Sequence, residues 1–464
     1  MTESTDTPVD PTEDSGDDIV IASALKKSLL ALIAVAIPAV AAIAYVNLNR
    51  DQEEEIQSDV VVPVPRDTRS STIPRLMLTE ITADSGIDFV HETGATGEKL
   101  LPETMGSGVA VLDFNDDGLL DLLLVNSRAW PWAETSSDPP ATCHVYAGNG
   151  DGTFRDVSEA TGMDVSLYGM GVAVGDIDND GDTDIFLSAV GKNRLMRNDD
   201  GVFVDVTDAS GVGGEEERWS TSCGFFDFDN DRDLDLFVAN YVDWSRQYDL
   251  SQSFTLDGEN RAYGPPKAFS GTFNYLYRNL GDGTFEDVSE SSGIQIRNAD
   301  TDVATGKGMG VAPVDFNGDG WIDLMVANDT VRNFLFQNQR DGTFQEMGEL
   351  ANVAYDRSGN ARGAMGIDCS VFRPDGTLAV GIGNFANEAS ALYVVRPERS
   401  QFVDAAMFTG FGPPTRQGLT FGLFFFDVDL DGRPDVLGAN GHLEQEIAKT
   451  LPTLRYRQSP QLFW

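Results

Sequence analysis

Asp113-Phe114-Asn115-Asp116-Asp117-Gly118-Leu119-Leu120-Asp121 is the stretch on which the reading of this chain turns. It returns in intact form at Asp176 to Asp184, Asp227 to Asp235, Asp315 to Asp323 and Asp427 to Asp435. A decayed copy spans Val371 to Ala379 and keeps only Asp375-Gly376. The first positions fall at 113, 176, 227, 315, 371 and 427, in steps of 63, 51, 88, 56 and 56 residues. Self-similarity at such a period marks a repeat architecture.

The surroundings repeat too. Five residues before the first position stands a glycine in five copies: Gly108, Gly171, Gly310, Gly366 and Gly422, with Ser222 in the remaining one. A short apolar run follows each loop, as in Leu122 to Val125 or Leu236 to Val238. Between copies lies Gly-Asp-Gly-Thr-Phe around Phe154 and Phe285, with Asp341 to Phe344 and looser versions at Phe203 and Phe402. Asp-Gly between apolar runs is a strong hairpin signal. Each unit therefore reads as about four short strands, and such units build an all-β propeller around a central channel. Six four-stranded blades are expected, with seven as the other open count. The recurring glycine fits an innermost strand, where backbones crowd at the axis. Met170, Met309 and Met365 share one repeat position and read as core near that channel. The chain enters at Leu78 to Thr82, mid-unit, and leaves at Gln461 to Trp464, which matches Tyr275 to Tyr277. The two ends are expected to complete one mixed blade, or else a further blade follows and the chain is truncated.

Carboxylates at positions one, three, five and nine of a nine-residue loop repel one another unless a cation gathers them. Ca²⁺ takes six to eight oxygens in flexible geometry, whereas Mg²⁺ demands small octahedral sites. The expected ligands are Asp113, Asn115, Asp117 and Asp121; Asp176, Asp178, Asp180 and Asp184; Asp227, Asp229, Asp231 and Asp235; Asp315, Asn317, Asp319 and Asp323; and Asp427, Asp429, Asp431 and Asp435. That makes about five calcium sites, mainly structural. Asn115 and Asn317 offer neutral amide oxygens, so their loops should bind more weakly. Arg232 stands where the other loops carry glycine, at a cost of about 1 kcal/mol if the turn is left-handed. The decayed copy offers Val371, Arg373 and Ala379 and should bind nothing.

Composition narrows the function. The chain has 464 residues and a formal charge of −43, which repels phosphate backbones and argues against nucleic acid. The 41% apolar content supports a packed core, and three cysteines exclude a disulfide framework. Residues 1–18 read as a disordered acidic tail. Residues 19–46 read as a transmembrane signal-anchor helix. Its uncharged run, Ser28 to Val46, would be about 28 Å long against a hydrocarbon core of roughly 30 Å. Lys26 and Lys27 precede the run and acids follow Arg50, placing the rest outside the cytoplasm, periplasmic or extracellular. A cleaved signal peptide is the rival, giving a secreted protein. Residues 47–75 read as a polar linker and 76–464 as the propeller.

The acidic loop resembles the calcium-binding FG-GAP/VCBS repeat of integrin α-subunit propellers. The context Gly86-Ile-Asp-Phe-Val-His91, Pro102 to Gly108 and Asn440-Gly-His442 is similar to the cartilage acidic protein/ASPIC–UnbV group. The resemblance covers about residues 76–464 and implies extracellular binding or adhesion more than catalysis. A further domain follows the propeller in that group, which supports the expectation of truncation.

No catalytic constellation is evident. His91, His144 and His442 lie in different units, with no Gly-x-Ser-x-Gly elbow nearby. The expected function is an exported, membrane-tethered interaction module for a protein or carbohydrate ligand. The alternatives are a carbohydrate-active enzyme (polysaccharide lyase-like) or lectin on the same propeller, and a purely structural surface component. Two insertions are candidate binding loops, 126–142 with Trp130 and Trp132, and 241–273 with Tyr241, Trp244, Tyr248, Phe254, Tyr263 and Phe269. Either these rings pack under their own loops or they offer a surface.

Overall fold

The computed structural model describes residues 76–133, 139–396 and 399–464, together with Lys26. The expected acidic tail, membrane helix and linker, Lys26 apart, lie outside the described residues. Among those described, no helix is long and apolar enough to cross a membrane.

Residues 109–463 form six antiparallel sheets. The first holds β1 (Val109–Leu112), β2 (Asp121–Leu124), β3 (His144–Gly148) and β4 (Phe154–Asp156). The second holds β5 (Gly169–Gly175), β6 (Asp184–Ala189), β7 (Arg194–Asp199) and β8 (Val202–Asp205). The third holds β9 (Ser220–Phe226), β10 (Asp235–Asn240), β11 (Tyr275–Asn279) and β12 (Phe285–Asp287). The fourth holds β13 (Gly308–Val314), β14 (Asp323–Asn328), β15 (Phe334–Asn338) and β16 (Phe344–Glu346). The fifth holds β17 (Ala364–Val371), β18 (Leu378–Asn384), β19 (Ala391–Val395) and β20 (Val403–Asp404). The sixth has three strands, β21 (Thr420–Phe426), β22 (Asp435–Asn440) and β23 (Gln461–Phe463). Neighbouring strands pair in sequence order throughout.

Gly108, just before β1, and the first strands of the other five sheets line one central channel of about 260 Å³, the strands contributing among others Gly171, Ser222, Met309, Met365 and Phe421. This is a six-bladed β-propeller. Met170 lines the channel with Met309 and Met365, as their shared repeat position required. The glycine rule has a steric cause. A Cβ on Gly310 would lie 2.7 Å from Met365 O in the next blade, and one on Gly366 2.4 Å from Phe421 O. Second strands β6, β10, β14 and β18 are buried at every residue. Apolar side chains of adjacent blades mesh between them, as where Phe114 and Leu123 meet Ile185 and Phe203.

The ends behave differently from each other. Gln461–Phe463 forms the third strand of the sixth blade, pairing Leu462 with Leu437. Leu78 to Ile81 form no strand, so the expected mixed blade is not completed. In blade one a hairpin ties the outer strand to the third, with Asn149 N–H donating to Thr153 O at 2.9 Å. No such hairpin links residues 78–81 to β23 among the described residues. Instead the one-turn helix Thr82–Ser85 and left-handed Gly86 (φ 80°) pack on blade one. A Cβ on Gly86 would sit 2.4 Å from Phe154 O, just as one on Gly162 would sit 2.8 Å from Phe203 O. The amino-terminal segment thus supplies an inter-blade helix without its strand.

Candidate metal centres

Each intact acidic loop joins a first strand to a second strand. The ladder brings the ninth residue opposite the residue before the first: Gly175 faces Asp184, and Phe426 faces Asp435. Inside the loop the backbone folds onto the first carboxylate. Asp176 Oδ1 accepts from Asp180 N–H at 3.1 Å and Oδ2 from Gly181 N–H at 3.0 Å. The same pair of bonds recurs on Asp113, Asp227, Asp315 and Asp427.

Two positions take left-handed backbone. At the sixth, Gly118, Gly181, Gly320 and Gly432 have φ of 79°, 101°, 83° and 82°. Arg232 adopts φ 81° at the same place, the strained turn that its position implied. The fourth position is also left-handed, at Asp116, Asn179, Asn230, Gly318 and Leu430. Sequence reasoning missed it, although Asn, Asp and Gly are the residues that tolerate that region best. Leu430 hides the pattern in the last copy.

The structure gathers positions one, three and nine. In Asp176/Asp178/Asp184, Asp227/Asp229/Asp235 and Asp427/Asp429/Asp435, one carboxylate oxygen from each residue lies within 4.8 Å of the others. That is about twice a calcium–oxygen bond of roughly 2.4 Å. Asp178 Oδ1, Asp229 Oδ1 and Asp429 Oδ1 are buried without any hydrogen-bond partner. Buried polar atoms are normally satisfied, so three orphans at one repeat position fit an ion. Position five lies outside these groups. Asp180, Asp231 and Asp431 accept from the N–H two residues on, each at 2.9 Å. In the first and fourth loops, Asn115 and Asn317 stand at position three, and their Oδ1 atoms accept from Asp117 and Asp319 N–H.

The ninth carboxylate has a second duty. Asp184 Oδ2 accepts from Ile177 N–H at 2.9 Å and Oδ1 from Asn198 N–H of the third strand at 2.7 Å. Asp121, Asp235 and Asp323 repeat this with Gly148, Asn279 and Asn338. Burial pushes Asp184 and Asp323 up to about 7 and Asp235 to about 8, and the other loop carboxylates push the same way. Burial and neighbouring carboxylates also raise Asp178 and Asp229. A divalent cation reverses both effects by favouring the ionised form. The decayed copy closes as a plain hairpin. Phe372 N–H donates to Thr377 O at 3.1 Å, and Asp375 caps Thr377 N–H.

At the opposite ends of the strands the two insertions meet. Trp130 stacks on Tyr168, Trp132 and Trp244 at centroid distances of 4.0, 4.9 and 5.4 Å. Tyr241, Trp219, Trp130 and Phe269 are buried together, so most of these rings form the core of a cap. Trp132 and Tyr248 remain exposed. Buried Asp249 ties the cap together, pairing with Arg261 at 2.6 Å and accepting from Trp244 Nε1 and Leu101 N–H. The histidines keep local partners. His91 contacts Ser107 Oγ, His144 pairs with Asp156, and His442 Nδ1 accepts from Glu444 N–H.

Residues 113–187, 177–238, 263–326 and 315–369 match the FG-GAP-like repeat. The chain belongs to the FG-GAP-like repeat family. The matched stretches carry the first four intact acidic loops, and each runs from one blade into the next. Over 194 residues, 41% of this chain, the sequence is 29% identical to cartilage acidic protein 1 of Xenopus tropicalis. The alignment spans only 28% of that relative's length. Among solved structures, a lectin of Agrocybe aegerita that recognises non-reducing terminal N-acetylglucosamine is 17% identical, with a TM-score of 0.39 over 72% of this chain and 75% of the lectin. A rhamnogalacturonan lyase of Bacillus licheniformis is 14% identical, with a TM-score of 0.36 over 72% of this chain and 55% of the lyase.

Proposed function

We propose that this FG-GAP propeller is an exported, membrane-tethered calcium-binding module whose task is to bind a protein or carbohydrate partner outside the cytoplasm. The observation that carries the calcium part is the set of three orphaned carboxylate oxygens, Asp178, Asp229 and Asp429 Oδ1, each beside two further carboxylates. Asp176, Asp178 and Asp184, and their counterparts in the third and sixth blades, would hold the ion. Calcium would supply charge neutralisation, letting a buried carboxylate such as Asp184 ionise while it braces the second and third strands. The loops with Asn115 and Asn317 would bind more weakly. Export and tethering rest on the hydrophobic run after Lys26 and Lys27. Interaction rests on the family and on the aromatic cap, where Trp132 and Tyr248 stay exposed.

An enzyme reading has one observation in its favour, since Tyr241, Tyr263, Lys267 and His442 line one cavity. Asp329, Glu388 and Glu444 line it as well, so three carboxylates outnumber the single Lys267 and the cavity is acidic instead of basic. Tyr241 donates its hydroxyl to Asp329, and burial lowers His442, which keeps that ring a neutral donor. The interaction reading is preferred. Calcium titration by calorimetry after chelation, with thermal melts alongside, tests the metal part. Saturable binding with a raised melting temperature supports it, and an unchanged melt with no heat of binding overturns it.

A further inference from the structure

Under the cap lies a cavity of about 440 Å³, at the strand ends away from the acidic loops. That volume falls in the range of small-molecule sites. Its wall is largely apolar, with Met309, Met365, Phe421 and Leu454 on the propeller side and Leu101 and Tyr263 on the cap side. Its polar groups are concentrated just past the ends of β14 and β18. Asp329 is 7% exposed and accepts from Tyr241 Oη on Oδ2 at 2.5 Å. Its Oδ1 takes no hydrogen bond among the described residues. Glu388 Oε2 accepts from Gly363 N–H at 2.7 Å. A side-chain carbon at Gly363 would lie 3.2 Å from Asp329 Oδ1 and 3.6 Å from Glu388 Oε2, so both carboxylates converge on this bare glycine. Neither carboxylate joins an ion pair among the described residues. Lys307 Nζ is turned to Pro266 O at 2.7 Å and Lys267 stands exposed at the cavity's edge; with Arg362 they act on the two carboxylates only from beyond ion-pair distance.

A third oxygen completes the set. Thr330 Oγ1 lines the cavity region buried and without a partner. Its backbone sits at φ 61°, a conformation that a β-branched residue rarely takes. Backbone strain of this kind is concentrated at binding sites.

We propose that this cavity binds a small organic ligand with a primary ammonium head and an apolar body. An ammonium has three N–H donors and no acceptor, matching Asp329 Oδ1, the Glu388 carboxylate and Thr330 Oγ1. Charge-assisted bonds to two otherwise unpaired carboxylates supply the selectivity, and the methionine and aromatic walls take the body. The site uses no acidic-loop residue and does not depend on the calcium reading.

The test compares phenethylammonium with its neutral isostere phenethyl alcohol on the full chain, by calorimetry and ligand-observed NMR at fixed calcium. Saturable millimolar binding of the amine is expected, with the alcohol weaker by roughly tenfold. Asp329→Asn and Glu388→Gln should each weaken the amine by roughly tenfold and leave the alcohol unchanged. Equal binding of amine and alcohol would overturn the proposal, as would amine binding that both variants leave intact, or no saturable binding. If Asp329→Asn fails to fold, Glu388→Gln and the amine-to-alcohol ratio still decide.

Discussion

Trp464 Nε1 donates a hydrogen bond to Asp429 Oδ2 at 2.7 Å, so the strand that ends the described chain is tied to the last acidic loop. Arg433 lies over the same indole at 5.2 Å. Asp429 belongs to the carboxylate group Asp427/Asp429/Asp435. The indole holds Oδ2 and leaves Oδ1 without a partner, so an ion bound through Oδ1 would share this carboxylate with Trp464.

Calcium should therefore change the tryptophan fluorescence of the chain. In Trp464→Phe part of that change should disappear while the number of ions bound stays the same. A fluorescence titration beside calorimetry checks both; an identical signal in the variant would detach Trp464 from the site.

Asp178→Asn separates the two roles of the loop. In calcium the variant loses a charged ligand, and its melting temperature should fall below that of the parent. In chelator the same change removes a buried, unpartnered charge and should be neutral or stabilising, by up to about 1 kcal/mol. Paired thermal melts read the sign reversal, which a merely structural Asp178 would not produce.

The pH dependence follows from the raised carboxylates. Asp184 and Asp235 sit at about 7 and about 8, above the ordinary carboxylate value. Between that ordinary value and these raised values the native state holds more protons than the unfolded chain, so stability falls as pH rises. In chelator, melting temperature should decline from about pH 4 to about pH 8. With calcium the ionised form is favoured, and the gap between the two curves should widen with pH. A gap that is constant over this range would contradict the assignment.

Arg232→Gly relieves the left-handed strain at φ 81°. Arg232 joins no ion pair among the described residues, so little is lost in exchange. A gain of up to about 1 kcal/mol is expected, reduced by the added freedom of glycine in the unfolded chain. Denaturant melts of the calcium-free protein measure it.

Asp249→Ala attacks the cap. Asp249 is wholly buried and paired with Arg261, so its removal takes away that ion pair and the acceptor of Trp244 Nε1 and Leu101 N–H. Arg261, partly exposed, keeps bonds to the Glu98, Gln252 and Asp249 carbonyls, so the local cost is roughly 1–3 kcal/mol. Faster proteolysis within 241–273, with the blades still resistant, is the expected outcome. Equal cleavage rates would show that the cap is held by its rings alone.

Much of the architecture was legible because a propeller repeats. Gly310 and Gly366 could be read from their spacing, since each blade must pass its neighbour's backbone at the same height. Asp113 and its counterparts could be read because alternate acids in a tight loop have few uses other than holding a cation. The departures came where the repeat is broken. The fourth position was obscured by Leu430, and residues 78–81, expected to pair in a mixed blade, form no strand. The division of labour among the acids was invisible too. Position nine turned inward to brace the third strand, while position five turned back on its own loop.

By itself the sequence determined the repeat, a propeller of first strands around one channel and the five acidic loops, because each follows from local spacing that a strand pair must obey; the count of six blades, left open against seven, came from the structure. The tertiary structure decided what lies far apart in the chain. It put Asp329 and Glu388 against Gly363, laid Trp130 on Trp244, and roofed a cavity with residues from the first and third blades. Those contacts depend on how blades close into a ring and where insertions fold back over it, and no periodicity in the sequence carries that information.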